Sequence, residues 1–363
     1  MPPGTDDLRR FAVSRSLFAP TTLARALDRF GFVQADPIRA PARAQDLTLR
    51  HRVADYRAGD LERQYASLPI EEDVLVNYGF VTRAVHGLMH PRGERTRSPW
   101  FRAQSRRANA ILDFIRARGP VHPREVDRHF TPGRVTNYWG GSSSATTHLL
   151  DLLHYRGLLR VVRRDGGVRI YGPQETTADP PGKTDRIRRI DALVDVVVRK
   201  YAPLPGPSLA TLIARLRYAV PQWQKDLKPA VQRARQRLAH ASIDGVTWYW
   251  PADEEIGAAA PPGAVRLLAP FDPVVWDRRR FEMLWGWAYR FEAYTPVKKR
   301  VRGYYALPLL WRDRAIGWGN LALRDGGLHA DLGFVSGRAP RDRPFKRALE
   351  EELERMRTFL GGV

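Results

Sequence analysis

Apolar residues recur at helical spacing through the middle of the chain. In RANAILDFIRARGPVHPREVDRHF, Ala108, Ile111, Leu112 and Ile115 fall on one helical face, Gly119 and Pro120 end it, and a second short helix follows. The stretch SSSATTHLLDLLHYRGLLRVVRRDGGVRIYGP places Leu149, Leu150 and Leu153 on a third helix that stops at Gly157. Two strands then flank Asp165, Gly166 and Gly167, a hairpin signal. Three helices followed by a β-hairpin is the order of a winged helix-turn-helix. Many small domains share a three-helix core without touching DNA, but Arg163, Arg164 and Arg169 on the predicted wing would set charge beside phosphates.

The same pattern recurs on both sides. Ile187, Ile190, Val194 and Val197 form a helical stripe, SLATLIARLRY reads as a second helix, and LKPAVQRARQRLAHASIDG as a third leading into the strand VTWYWP. TTLARALDRFGFVQADPI fits the start of a further unit, and QETTADPPGKT reads as a linker. After Pro261 and Pro262 the segments AVRLLAP, YRFEAYTPV, GYYALPLLW and AIGWGNLALRD read as antiparallel strands, and FKRALEEELERMRTFLG as an amphipathic closing helix. The expected fold is α+β: winged-helix units over residues 1–100, 101–175 and 183–252, then a β-rich domain over 262–363. Trp276, Trp285, Trp287 and Trp311 are expected in its core.

Composition changes this picture in one respect. The 363 residues carry 60 Lys and Arg against 39 Asp and Glu, a net charge of +21, which points to a polyanionic partner with nucleic acid first. A GC-rich genome that favours Arg and Ala accounts for part of that excess. Hydrophobic residues at 43% imply a globular protein, and the lack of cysteine excludes disulfides and thiolate metal sites. The first residues show no signal-peptide pattern and no later run approaches a membrane span, so we expect a cytoplasmic protein without a membrane partner.

Candidate chemistry is sparse. In FGFVQADPIRAP, Gln34 and Asp36 stand two apart in an apolar run, and Pro37 pushes Asp36 out of the helical region. In an extended segment both side chains then face one space, roughly 6 to 7 Å apart. Taken alone, the two residues read as a helix cap or a turn, as Asp before Pro often does. His86 and His90 in HGLMH have a metal-ligand spacing, but Gly87 stands where a zinc peptidase needs its glutamate. WGGSSSATTH lacks the ending of a phosphate loop and reads as the approach to the third helix, where its amides could meet a phosphate. Asp272 and Asp277 fit a turn and an Arg partner better than a metal. No metal or cofactor is expected. Lys298, Lys299, Arg300 and Arg302 beside aromatics in VKKRVRGYY suit nucleic acid, though the pattern is also common on solvated hairpins.

Together VQADPI, the wing RGLLRVVRRDGGVRIY, the box LLAPFDPVVWDRRR and the strand pair KKRVRGYYALPLL resemble the winged-helix DNA glycosylases related to AlkZ and YcaQ. The resemblance runs from about Leu8 to the last helix. It implies three winged-helix units scaffolding a basic concave surface, and excision of bulky N7-alkylated guanines, interstrand crosslinks included, from double-stranded DNA. The family signature, Gln, an apolar residue, then Gln or Asp, maps onto Gln34, Ala35 and Asp36 in its Asp-bearing form. Two departures stand out. Tyr78 in NYGFVT is not followed by the histidine of a Tyr-Trp-Ala-His box, and Asn320 in GWGNLALRD stands where Asp is commoner.

The resemblance implies that Gln34 and Asp36 are catalytic; no catalytic lysine is needed, so we expect a monofunctional enzyme, acting as a monomer, with Arg163, Arg164, Arg169, Lys298, Lys299 and Arg300 binding DNA. The alternative class is a non-catalytic DNA-binding protein, a regulator or a damage-sequestering factor. A regulator would usually carry a dimerisation helix and a ligand domain, and the sequence shows neither. The charge balance makes the first prediction: affinity for duplex DNA falls steeply with salt, with a log–log slope of about −0.9 for each phosphate contacted. A flat response in a fluorescence-anisotropy titration would refute a DNA role.

Overall fold

The computed structural model describes residues 3–92, 103–130, 133–136, 142–175, 181–257, 262–325 and 327–361. Helices and antiparallel strands alternate in an α+β arrangement. The chain divides into two compact units, each discontinuous in sequence. One comprises Met1–Leu61, Val194–Ile213 and Val231–Val363; the other comprises Glu62–Leu193 and Ala214–Ala230.

The second of these holds the helix–helix–helix–hairpin order read from the sequence. The helix Ser105–Arg118 buries Ala108, Ile111, Leu112 and Ile115. His122 caps Pro123–His129 in a capping box with Glu125, and Ala145–Tyr155 buries Leu149, Leu150 and Leu153. Strands Leu159–Asp165 and Val168–Pro173 pair antiparallel with Asp165 opposite Val168. The turn needs positive φ at both central residues, and Gly166 and Gly167 supply it at 57° and 88°. A further hairpin, Ile70–Val74 with Tyr78–Thr82, precedes the helix Arg83–Met89, which the Thr82 hydroxyl caps.

In the other unit a helix, Leu23–Phe30, ends at Gly31 with φ of 62°, and the chain passes directly into the strand Phe32–Gln34. The C-terminal sheet has four antiparallel strands in the order Val265–Leu267, Leu307–Trp311, Arg314–Arg324, Gly327–Phe334, and the helix Arg343–Phe359 closes the chain. One expectation is corrected here, and one strand is new. YRFEAYTPV forms no strand: within it the N–H groups of Tyr289 and Thr295 donate to the nearby carbonyls of Trp287 and Glu292, both at 2.9 Å, so these donors close local turns instead of a ladder. Gly327–Phe334 was not foreseen, although Leu328, Ala330, Leu332 and Phe334 alternate along it; none of its residues is buried.

The core of this unit gathers Val13, Leu268, Val274, Val275, Phe281, Trp287, Tyr289 and Leu310. Trp287 is buried as expected, whereas Trp276, Trp285 and Trp311 are only partly covered. Beside the core lies an ion pair at 0% exposure on both sides, Arg52 forked onto Asp272 at 2.7 and 3.0 Å. The same guanidinium donates to the carbonyls of Ser16 and Thr48 at 2.8 and 2.6 Å, and Asp272 accepts from the N–H of Val274 at 3.0 Å. Asp272→Ala strands a buried cation and is expected to cost about 3–5 kcal/mol of stability in urea unfolding. A loss below about 1 kcal/mol would show that the pair is not structural.

Candidate active site around Gln34 and Asp36

Gln34 ends its strand only 8% exposed. Its Oε1 accepts a 2.8 Å hydrogen bond from the indole Nε1 of Trp276. An indole can only donate, so this bond turns the amide carbonyl toward Trp276 and directs the NH2 group away from it. Gln34 is thereby set as a donor.

Asp36 lies just beyond the strand and is half-buried. Its Oδ1 accepts from the N–H of Ile38 at 2.9 Å, the Asx turn expected of Asp before Pro, and its own N–H donates to Gln45 Oε1 at 3.3 Å. The turn and a chemical role are compatible, because the turn engages one carboxylate oxygen and fixes the direction of the other. Burial pushes the Asp36 carboxyl up, opposed by the Ile38 hydrogen bond. An aromatic wall stands beside it: Phe291 meets Phe271 at 5.2 Å, Tyr305 at 5.1 Å and Tyr294 at 6.0 Å between ring centroids. Burial first, then the charge of Asp36, holds the phenols of Tyr294 and Tyr305 above their usual range. The Tyr305 hydroxyl is buried with no hydrogen-bond partner among the described residues.

The strand is braced from the core. Lys200 is buried and its ammonium donates to the Phe32 carbonyl, with the rings of Phe30 and Phe32 at 4.5 and 5.2 Å. Burial, reinforced by the charge of Arg52, lowers its pKa to about 7. The neighbouring Tyr201 packs its ring on Trp276 at 4.9 Å, while Arg280 bonds the carbonyls of Tyr201, Pro273 and Val274. Gln34 and its indole partner are therefore held by one helix end. Lys200, Tyr201, Trp276 and Tyr305 were not legible as site residues, since nothing in their local sequence marks them.

Residues 27–359 match the family described as DNA glycosylase AlkZ-like. The chain belongs to that family. The AlkZ-like protein is thus a DNA glycosylase, an enzyme of DNA repair. Its fold is similar to that of Streptomyces sahachiroi DNA glycosylase AlkZ, with a TM-score of 0.64 at 15% identity over 99% of this chain and 98% of that one.

In this AlkZ-like glycosylase the basic residues singled out from the sequence have different surroundings. Arg164 is forked onto Glu72 at 2.7 and 2.6 Å, and Arg169 pairs with Asp151 at 3.0 Å over the ring of Tyr78. Arg163 is exposed and, among the described residues, pairs with Asp165, which is exposed too. Lys298 and Lys299 are exposed, whereas Arg300 donates to the Thr295 carbonyl at 2.8 Å and covers the Tyr304 ring. Of the basic run from Arg92 to Arg107, residues 93–102 lie outside the described residues, as do 139–141 of the WGGSSSATTH loop.

The remaining candidates have structural partners. His86 and His90 stack at 4.2 Å, and His90 Nε2 meets Asp73 at 2.7 Å. The other oxygen of Asp73 takes Arg92 at 2.8 Å, and burial keeps both imidazoles below their usual pKa. Asp277 caps the helix Arg278–Trp285. The two departures also have local reasons. Tyr78 donates its hydroxyl to Glu72, and Asn320 Nδ2 donates to the Arg302 carbonyl at 2.7 Å, a bond no aspartate could make.

Lys200 makes a pH prediction. Its pKa is about 7 when folded and 10.5 when exposed, so between those values the unfolded chain holds one more proton and stability rises with pH. Lys200→Met should remove that rise. In urea unfolding between about pH 7 and pH 10, wild type should gain on the variant by at most about 1.4 kcal/mol per pH unit. Parallel profiles would show that Lys200 is not buried as a titrating amine.

Proposed function

We propose that this DNA glycosylase excises bulky N7-alkylated guanine, interstrand crosslinks included, by monofunctional hydrolysis of the N-glycosidic bond, with Asp36 and Gln34 as the catalytic pair. The observation that carries this reading is the fixed orientation of the two side chains. Trp276 sets Gln34 as a donor, and the Ile38 N–H pins one oxygen of the neighbouring carboxylate.

N7 alkylation leaves the guanine cationic, so the base departs with the electron pair of the N9–C1′ bond as a neutral molecule and needs no proton. The sugar is left as an oxocarbenium-like cation. Asp36 stabilises that charge and accepts a proton from the attacking water, whose oxygen bonds to C1′. Gln34, presenting its NH2, holds the water oxygen by donation and leaves the proton to the carboxylate. Lys200 is buried with its Nζ against the Phe32 carbonyl, so it is not presented to the sugar as a nucleophile, which supports hydrolysis over lyase chemistry.

The DNA contacts fall to cations that the protein does not use internally. Lys298 and Lys299 sit on a loop whose Val297 and Val301 are 74% and 76% exposed, a combination of charge and apolar contact suited to a nucleic-acid groove. Arg163 is the exposed cation of the wing. Arg164, Arg169 and Arg300 contribute through the shape of these elements more than by free charge.

The test is single-turnover base release from duplexes carrying one N7-alkylguanine. Asp36→Asn should lower the rate by roughly 10² to 10⁴ with little change in DNA affinity. Gln34→Ala should lose less, because water replaces part of an amide. The wild-type rate should fall on the acid side with a midpoint above the ordinary 3.8, since burial raises the Asp36 pKa, and the variant should lose that limb. Wild-type excision by a folded Asp36→Asn protein would end the catalytic assignment.

A further inference from the structure

A cleft of about 480 Å³ opens in the same unit, lined by Arg50, Arg57, Arg266 and Arg355 together with Tyr56 and Phe359. We propose that it is an anion site that takes a phosphate group. Its volume lies in the range of small-molecule pockets and is ample for a phosphate with its sugar.

The charge accounting favours an anion. Glu352, fully buried, is shared by two of the four arginines: Arg50 bonds its Oε1, and Arg355 bonds its Oε2 at 3.0 Å. Glu354, which also lines the cleft, is engaged by Arg357 through two bonds of 2.9 and 2.7 Å. Arg57 donates to the Thr358 carbonyl, and Arg266 to the carbonyl of its neighbour Val265 at 3.1 Å, so neither has a carboxylate in a salt bridge among the described residues. Asp55 is the remaining acid of the lining. His51 is held neutral by burial and by the surrounding arginines, so it adds no charge. The cleft is left with more cations than anions.

A second observation is independent of that count. Arg50 is 3% exposed, and its Nε is buried with no hydrogen-bond partner among the described residues. A buried guanidinium donor without an acceptor is costly, so this cation of the cleft wall is less compensated than its bond to Glu352 alone suggests. Arg266 is half-buried, and desolvation is the main cause that lowers its pKa, so it too is a poorly compensated cation. The phosphate belongs either to the DNA backbone or to a free phosphate or nucleotide.

The experiment uses the full chain, with Arg266→Gln and the more exposed Arg355→Gln as variants. Neither residue belongs to the catalytic pair, so base release at saturating DNA should match wild type, which separates this proposal from the one above. The probes are inorganic phosphate and a deoxynucleoside monophosphate, followed by ³¹P NMR, and an undamaged duplex, followed by anisotropy against salt. Saturable phosphate binding that a variant weakens tenfold or more supports the site. If the duplex salt slope also drops by about 0.9 per lost contact, the phosphate is that of DNA. If the slope is unchanged, it is a free phosphate or nucleotide. Absence of saturable binding of every probe, or binding equal in wild type and both variants, overturns the proposal.

Discussion

The buried pair of Arg52 and Asp272 is the constraint on which the candidate site depends. It joins the segment that follows the helix Ala44–Leu49 to the LLAPFDPVVWDRRR box, 220 residues away in sequence. Gln45 on that helix holds the backbone of Asp36, and the box carries Trp276, which holds Gln34. Two unsolvated charges are tolerated there because every strong donor and acceptor has a partner: the fork between them, the carbonyls of Ser16 and Thr48, and the N–H of Val274. A looser pairing would let the two halves of the site drift.

Around that pair the residues of the candidate site are held at their backbones and by single hydrogen bonds. Lys200 takes the carbonyl of Phe32, Gln45 the N–H of Asp36, Ile38 one carboxylate oxygen, and Trp276 the carbonyl of Gln34. Each contact removes one freedom and leaves a defined polar face. The proposed mechanism would need this preorganisation, since donors and charges already in place do not have to reorganise when a transition-state charge develops.

Net charge and available charge are different quantities in this protein. The excess of +21 includes guanidinium groups sealed from solvent, such as Arg52, Arg92 and Arg280, whose donors serve carboxylates and backbone carbonyls. Arg164 looked like a wing contact in sequence, yet its fork closes on Glu72. Long arginine side chains suit such buried braces because five donors in a fixed plane satisfy several carbonyls at once. The cations left for a polyanion are those without such partners, as on the Lys298–Lys299 loop.

What the sequence alone determined is local. The stripe of Ala108, Ile111, Leu112 and Ile115, the two glycines of the wing turn, and the extended run through Gln34 to Asp36 follow from side-chain period, positive φ and the proline at 37, all acting within a few residues. Even the Asx turn at Asp36 was foreseeable on those grounds. The sequence could not say which way the Gln34 amide faces, because its partner lies 242 residues on, nor that Lys200 supports Phe32 across 168. Nor could it place the Glu292 carboxylate, which takes the N–H groups of Val301, Arg302 and Gly303. Only tertiary structure decided these points: a hydrogen bond or ion pair is set by distance and direction in space, and spacing along the chain carries neither.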